Sequence, residues 1–206
     1  AKMLYISTDY VFPGTGEHFY EPDDPTGPLG AYGATKLGGE LAVKEVLDNY
    51  FIVRISWVFG KNGNNFVKTM LRLAETKQEL NVVCDQIGSP TYTADLAPLL
   101  CDMIVTEKYG TYHATNEGIC SWAEFAEEIF KLAGKNVKGS RTMPAGEMHG
   151  AAVYKRAGTI FSGRRARLAA QYGPQRTTCS SSRQALRSAI RCRAKAGRPA
   201  MGSGAA

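Results

Sequence analysis

Residues 3–12, MLYISTDYVF, and residues 31–40, AYGATKLGGE, decide how this chain folds. The first stretch is an apolar run ending in Ser7-Thr8-Asp9-Tyr10, which is typical of a strand buried in a parallel sheet. The second stretch starts a helix, predicted over residues 32–49, after a connector rich in Pro and Gly. Another apolar run, FIVRISWVF at residues 51–59, predicts a second strand. Strand, helix and strand in this order predict two parallel strands joined by a right-handed crossover.

Tyr32 and Lys36 are a candidate catalytic pair in the predicted helix. Side chains four residues apart lie on one helix face, so the phenol and the ammonium can project side by side. A nearby ammonium favours the phenolate, and such an acid can protonate a carbonyl oxygen while hydride reaches the carbon. Thr8, at the end of the first strand, can hydrogen-bond the same oxygen. An exposed Tyr and a solvated Lys would show the same spacing, so the pair alone leaves both interpretations open.

Charge is distributed unevenly along the 206 residues. Residues 1–147 hold 13 Lys and Arg against 19 Asp and Glu, whereas residues 148–206 hold 12 Lys and Arg and no acid. We expect residues 158–206 to be disordered, because their apolar surface is too small to offset the entropy of ordering. Two origins stay open for this segment: non-native sequence, as after a frameshift, which we favour, and a basic arm that attracts nucleic acid.

The cysteines, histidines and hydropathy exclude several classes of protein. The five Cys form no C-x-x-C pair and the three His are isolated, so we predict neither a metal site nor a disulfide framework. No apolar run approaches the length of a membrane span. These features fit a cytoplasmic protein that does not contact membranes.

Five sequence blocks between residues 3 and 134 carry a resemblance. In order they are STDYVF, YGATKLGGE, RISWVFGKNGNNFV, DQIGSPTYTADLA and YHATNEGICSWAEFA. Together they resemble the extended short-chain dehydrogenase/reductases and, among these, the dTDP-4-dehydrorhamnose reductase family. The resemblance implies an α/β fold with a partial Rossmann-like parallel sheet and a small substrate-binding lobe. It assigns residues 1–60 to the C-terminal part of a dinucleotide-binding domain, residues 61–150 mainly to the lobe, and residues 151–206 to a basic tail.

The same resemblance implies an activity and roles for individual residues. The reaction would be NADH- or NADPH-dependent reduction of dTDP-4-dehydro-6-deoxy-L-mannose to dTDP-L-rhamnose. Tyr32 would donate the proton, Lys36 would assist it, and Thr8 would tune the oxygen that is protonated. Tyr32 and Lys36 would also contact the cofactor. Thr8 and three further residues would contact the substrate, with turn or core roles as the alternative: Asp9, Tyr10 and Trp57.

Several questions stay open at this stage. No glycine-rich motif directly follows the first strand, where a dinucleotide fold places one, so we expect residues 1–206 to lack the main cofactor cradle and to be inactive alone. A nucleotide-sugar epimerase or dehydratase, and a non-catalytic regulatory subunit of the same fold, are the alternatives. The choice between NADPH and NADH, a magnesium requirement and a homodimer of the full-length protein are also open.

Overall fold

A computed structural model of the chain describes residues 1–15, 19–142 and 183–190. Nine strands and five α-helices lie in these ranges. The strands are β1 (Met3–Thr8), β2 (Tyr50–Ile55), β3 (Val58–Phe59), β4 (Glu79–Val83), β5 (Ile87–Gly88), β6 (Thr91–Tyr92), β7 (Gly110–His113), β8 (Cys120–Ser121) and β9 (Lys138–Thr142). The helices are α1 (Ala31–Val46), α2 (Phe66–Leu73), α3 (Thr93–Ile104), α4 (Trp122–Leu132) and α5 (183–190).

The main sheet has the strand order β1-β2-β7, and both pairings are parallel. Met3 pairs with Tyr50 and Thr8 with Ile55, so β1 and β2 run side by side over their whole length. The helix α1 connects them, which confirms the predicted strand–helix–strand unit. The middle strand β2 is the most apolar and buries Phe51, Ile52 and Val53 completely. Burial on both faces explains why its sequence does not alternate.

The second predicted strand is interrupted where the sequence suggested none. We expected one strand over residues 51–59, but β2 ends at Ile55 and β3 begins at Val58. Between them Trp57 has a φ of 47°. A positive φ is rare for a residue with a bulky side chain. It turns the chain at this point, and β3 leaves the main sheet and pairs with β6.

A second group of elements surrounds its own apolar cluster. The strand pairs β3/β6 and β4/β9 are parallel, and β5/β8 is antiparallel. Phe125, Ile129 and Phe130 of α4 lie at helical spacing and are fully buried in this cluster. A capping box begins α4: the Ser121 hydroxyl accepts from the Glu124 N–H, and the Glu124 carboxylate accepts from the Ser121 N–H.

The basic segment departs from expectation in one place. Residues 183–190, predicted to be disordered, form α5, and Leu186 and Ala185 are buried in the cluster around α4. The Arg183 guanidinium lies 3.2 Å from the Glu128 carboxylate of α4. Ala189 and Ile190, one helical turn later, are partly buried against the same cluster, so four small or apolar residues dock this helix on the core. The rest of the predicted disorder lies outside the described residues, as does the proposed boundary at residue 150.

Among the described residues, no helix combines the length and the apolar character needed to cross a membrane.

Candidate functional site

The candidate site lies at the carboxyl edge of the main sheet. Thr8 ends β1 opposite Ile55 of β2. A short 3-10 helix, Asp9–Val11, follows β1, and Trp57 lies between β2 and β3. In open α/β sheets ligands bind at this edge. The structure therefore brings to one edge the residues that the sequence proposed for substrate contact.

Thr8 and Asp9 form a buried hydrogen-bonded pair. The Thr8 hydroxyl lies 2.9 Å from Asp9 Oδ1 and also accepts from the Tyr10 N–H at 3.3 Å. Asp9 Oδ2 has no hydrogen-bond partner among the described residues. Burial raises the pKa of the Asp9 carboxyl from 3.8 to about 7, and the hydrogen bond with Thr8 opposes this rise only in part. Near neutral pH the carboxyl can therefore be ionised and accept a hydrogen bond from the Thr8 hydroxyl, or be protonated and donate one.

A close backbone contact between Gly33 and Tyr10 brings the start of α1 to this edge. A Cβ at Gly33 would overlap the Tyr10 carbonyl oxygen, so only glycine allows the helix to approach so closely. Tyr32, one residue earlier, is 60% exposed, and its ring stands edge-on to the Tyr10 ring with the centroids 6.1 Å apart. Tyr32 is therefore open to a ligand. Burial, followed by the charges of Asp9 and Tyr32, raises the pKa of the Tyr10 phenol, which stays protonated at neutral pH.

Lys36 has a partner that the sequence analysis missed. Its ammonium lies 4.5 Å from the centre of the Tyr5 ring, and the Tyr5 hydroxyl donates to the Lys36 carbonyl at 3.3 Å. Tyr5 belongs to β1, so a strand residue holds the lysine side chain above the sheet. A Tyr three residues before Thr8 in the same strand was the available signal. A direct approach of the Lys36 ammonium to the Tyr32 hydroxyl, and of Thr8 to Tyr32, stays a prediction.

Trp57 is a core residue that keeps one unused donor. Its indole stacks on Trp122, with the centroids 3.6 Å apart and the planes at 13°, and the Trp122 N–H donates to Gln86 at 3.1 Å. A Cβ at Gly88 would lie 2.6 Å from Trp57 Cε2, so the backbone of β5 closes its other side. The Trp57 indole N–H is buried and has no partner among the described residues. Such a donor calls for an explanation, and a ligand acceptor would supply one.

A buried ion pair lies beneath α1, and the sequence analysis did not find it. Arg54 Nε donates to Glu40 Oε1 at 2.9 Å and Nη2 to Oε2 at 2.7 Å, and both side chains are almost fully buried. His113, opposite Arg54 in the neighbouring strand, is also buried. Burial, followed by the positive charge of Arg54, lowers the pKa of His113 from 6.5 to about 3, so this histidine is neutral.

A pocket of about 380 Å³ opens at the start of α2. Lys61, Lys68 and Arg72 line it, and no acid lies among the described residues of its lining. The Asn65 side chain accepts from the Lys68 N–H and donates to the Gly60 carbonyl. Asn65 therefore caps α2. Within the described residues no group of three or more His, Cys, Asp or Glu could hold a metal ion.

Gly27, Gly30 and Gly33 have the spacing G-x-x-G-x-x-G, which our sequence analysis overlooked. The long connector separates them from β1. The Gly27 N–H donates to the Val11 carbonyl at 2.9 Å, and Gly33 packs on Tyr10 as described above. These contacts give two of the three glycines a packing role at the connector and helix start.

Comparison with known proteins identifies the family. The family profile described as RmlD substrate binding domain matches residues 1–158. The chain belongs to this family. Membership in the RmlD substrate binding domain family confirms the resemblance to dTDP-4-dehydrorhamnose reductases drawn from the five sequence blocks.

Relatives of this RmlD substrate binding domain chain include two curated proteins and a solved structure. The spore coat polysaccharide biosynthesis protein SpsK of Bacillus subtilis is 52% identical over 134 residues, covering 65% of this chain and 47% of that protein. The dTDP-4-dehydrorhamnose reductase of Streptomyces griseus is 49% identical over 140 residues, covering 65% and 46%. The dTDP-4-dehydrorhamnose reductase of Bacillus anthracis, solved in complex with NADP, superposes with a TM-score of 0.76 at 41% identity, covering 92% and 65%. The chain thus spans about half the length of these curated relatives.

Proposed function

We propose that this chain contributes the proton-donating and sugar-binding half of a dTDP-4-dehydrorhamnose reductase. The observation that carries the proposal is the edge where Thr8 ends β1 and the Gly33 contact brings Tyr32 against Tyr10. Two relatives that match 65% and 92% of this chain are named dTDP-4-dehydrorhamnose reductase. The substrate would be dTDP-4-dehydro-6-deoxy-L-mannose, and the product dTDP-L-rhamnose.

Proton transfer is the part of the reaction that these residues would perform. The Tyr32 hydroxyl would give its proton to the sugar O4 as C4 is reduced, and the Lys36 ammonium would stabilise the phenolate that remains. Asp9 in its protonated form can donate to Thr8 Oγ1. The Thr8 hydroxyl would then be free to donate to O4, which orients the carbonyl towards Tyr32. A positioned acid of this kind is worth about 10² to 10⁴ in rate.

The described residues fit the nicotinamide ribose end of NADH or NADPH. The Lys36 ammonium carries only donors and the exposed Tyr32 phenol is both donor and acceptor, which suits the two hydroxyls of a ribose. The cofactor, when bound, supplies the hydride that reaches C4. A relative is solved with NADP, and we take NADPH as the first cofactor to test. Magnesium has no support among the described residues, and we do not include it.

The nucleotide sugar would lie between Trp57 and the start of α2. The unused Trp57 indole N–H would donate to a sugar hydroxyl. The pocket lined by Lys61, Lys68 and Arg72 has the positive charge to bind the diphosphate.

We also keep three further proposals. The chain would divide into domains at residues 60 and 150, the protein would be cytoplasmic, and the full-length protein would form a homodimer.

The proposal is tested with a joined reductase, in which residues 1–206 follow the dinucleotide-binding half of the Streptomyces griseus relative. NADPH and NADH oxidation is followed at 340 nm with dTDP-4-dehydro-6-deoxy-L-mannose as substrate. We expect oxidation that depends on this sugar and that falls by about 10² or more in Tyr32→Phe. The Tyr32→Phe protein should still bind dTDP-L-rhamnose. A folded joined protein that binds both ligands but oxidises neither cofactor would contradict the proposal.

A further inference from the structure

The ion pair between Glu40 and Arg54 has no part in the chemistry proposed above, yet it is the most deeply buried charge pair that the structure describes. Glu40 is 0% exposed and Arg54 is 2% exposed. Two parallel hydrogen bonds of 2.9 and 2.7 Å join the fork of the guanidinium to both carboxylate oxygens. Such a pair fixes the distance and the mutual orientation of the two groups, which an apolar contact does not.

Arg54 contacts three segments that are separate in the sequence. Besides Glu40 of α1, its Nη1 donates to the Pro22 carbonyl of the connector at 3.0 Å. Its guanidinium carbon lies 4.9 Å from the centre of the Phe12 ring, which follows Asp9 and Tyr10 at the end of β1. One side chain from the middle strand therefore ties α1, the connector and the segment after β1 to a single point.

Glu40 is placed on α1 so that it determines how the helix is rotated. It lies four residues after Lys36 and eight after Tyr32, so the three side chains lie along one face of the helix. The Lys36 ammonium lies over the Tyr5 ring and the Tyr32 ring contacts Tyr10. Glu40 is held to the middle strand of the sheet by Arg54. A rotation of α1 about its axis would move all three together and would break the paired hydrogen bonds.

Stability alone does not explain this pair. The desolvation of two buried charges offsets most of their attraction, and replacing both by apolar residues of similar volume is often neutral for stability. An apolar replacement would lose the fixed orientation of the two side chains relative to each other. We propose that Glu40 and Arg54 are positioning residues that set the rotation of α1, and thereby where the Tyr32 phenol and the Lys36 ammonium stand relative to Thr8. The predicted effect on catalysis rests on the proposed function, whereas the predicted rotation of α1 does not.

The geometric consequence is measured on residues 1–206 by NMR. The edge-on contact of the Tyr10 and Tyr32 rings should give a cross-peak between their ring protons. In the double variant Glu40→Leu/Arg54→Met we expect this cross-peak to be lost, while the cross-peak of the Trp57 and Trp122 rings is kept. Lys44→Met, which removes an exposed charge from the same helix, is the control and should change neither.

The catalytic consequence is measured on the joined reductase. We expect the double variant to lower kcat about tenfold to a hundredfold, because small misplacements of a reacting group have effects of this size. The KM for the dinucleotide should rise through Lys36, and the KM for the nucleotide sugar should change little, because Trp57 and the pocket of α2 are not on α1. If the double variant does not fold, Glu40→Gln replaces it, with a weaker ring cross-peak and a lower kcat expected.

An unchanged Tyr10–Tyr32 cross-peak together with a kcat within about twofold of the unaltered protein would overturn the positioning role. Failure of the proposed function gives a different result: the unaltered joined reductase would then be inactive, while the ring cross-peak would still respond to the double variant. The two failures are therefore distinguishable.

Discussion

Asp9 and His113 should give the stability of this protein two opposite dependences on pH, and Asp9→Asn should separate them. Both side chains are buried within the site region. Burial raises the pKa of Asp9 from 3.8 to about 7 and lowers the pKa of His113 from 6.5 to about 3. In each case folding disfavours the charged form.

The signs follow from which state holds the proton. Between the unfolded and folded pKa values of Asp9, the folded protein keeps a proton that the unfolded chain has lost, so this contribution to stability falls as pH rises towards 7. For His113 the unfolded chain holds the extra proton, so its contribution rises as pH rises from about 3 to 6.5. Each slope is about 1.4 kcal/mol per pH unit, and ionising Asp9 in the folded state costs about 4 kcal/mol in all. Between 3.8 and 6.5 the two slopes cancel.

The assay is urea unfolding followed by circular dichroism at several pH values between about 4.5 and 6.5. The contributions of these two groups should leave the unaltered protein nearly level over this interval. In Asp9→Asn the rising contribution of His113 is no longer opposed. The difference in unfolding free energy between Asp9→Asn and the unaltered protein should therefore move by about 3 kcal/mol across the interval, in favour of the variant at higher pH.

His113→Gln is the matched control, because it removes the opposite contribution. Its stability relative to the unaltered protein should move by a similar amount in the other direction as pH rises. A difference between Asp9→Asn and the unaltered protein that stays constant with pH would refute the reasoning. It would mean that Asp9 has the same proton affinity in the folded and unfolded chains, and that it is ionised near neutral pH and cannot donate a hydrogen bond to Thr8.

Three further outcomes are expected. Gly88→Ala should force Trp57 away from its stack on Trp122, because the added Cβ would lie 2.6 Å from the indole. We expect a shift in tryptophan emission and weaker binding of dTDP-L-rhamnose. An unchanged emission spectrum would contradict this contact. Leu186→Ala should lower the unfolding free energy of residues 1–206 by about 2 to 5 kcal/mol, because Leu186 docks α5 on the core. As a control, Arg187→Ala replaces an exposed residue and should change the unfolding free energy by less than about 0.5 kcal/mol. Equal effects of the two substitutions would mean that α5 does not dock. Tyr32→Phe in the joined reductase should lower kcat about 10²-fold without loss of sugar binding, and turnover near that of the unaltered enzyme would remove Tyr32 from the mechanism.

The parallel unit of β1, α1 and β2 could be predicted because its signals are local. Continuous apolar runs, a helix start and the order of elements each constrain the fold on their own. The capping box at Ser121 is equally local, because it needs only the four-residue pattern Ser121-x-x-Glu124. The break at Trp57 was not visible, because nothing in RISWVF distinguishes a strand that continues from one that turns through a positive φ.

The contacts that position the site could not be predicted from the sequence, because they join residues that are far apart in the chain. Glu40 and Arg54 read as an exposed helix carboxylate and a strand cation until their burial is known. Tyr5 beneath Lys36 and Trp122 against Trp57 depend on the register of β1 and on how β5 and α4 meet. The helix α5 was missed for a different reason: average composition hides one short apolar stripe.

The most direct test of the central claim is the fate of deuterium carried on the nicotinamide C4 of NADPH. The joined reductase is incubated with dTDP-4-dehydro-6-deoxy-L-mannose and with NADPH that carries deuterium at both C4 positions, so that whichever hydrogen is transferred is labelled. The product is analysed by mass spectrometry and NMR. The account predicts one deuterium at C4 of dTDP-L-rhamnose for each NADPH consumed. A product without the label, or a converted sugar with no net consumption of NADPH, as in an epimerase or a dehydratase that returns its hydride, would contradict it.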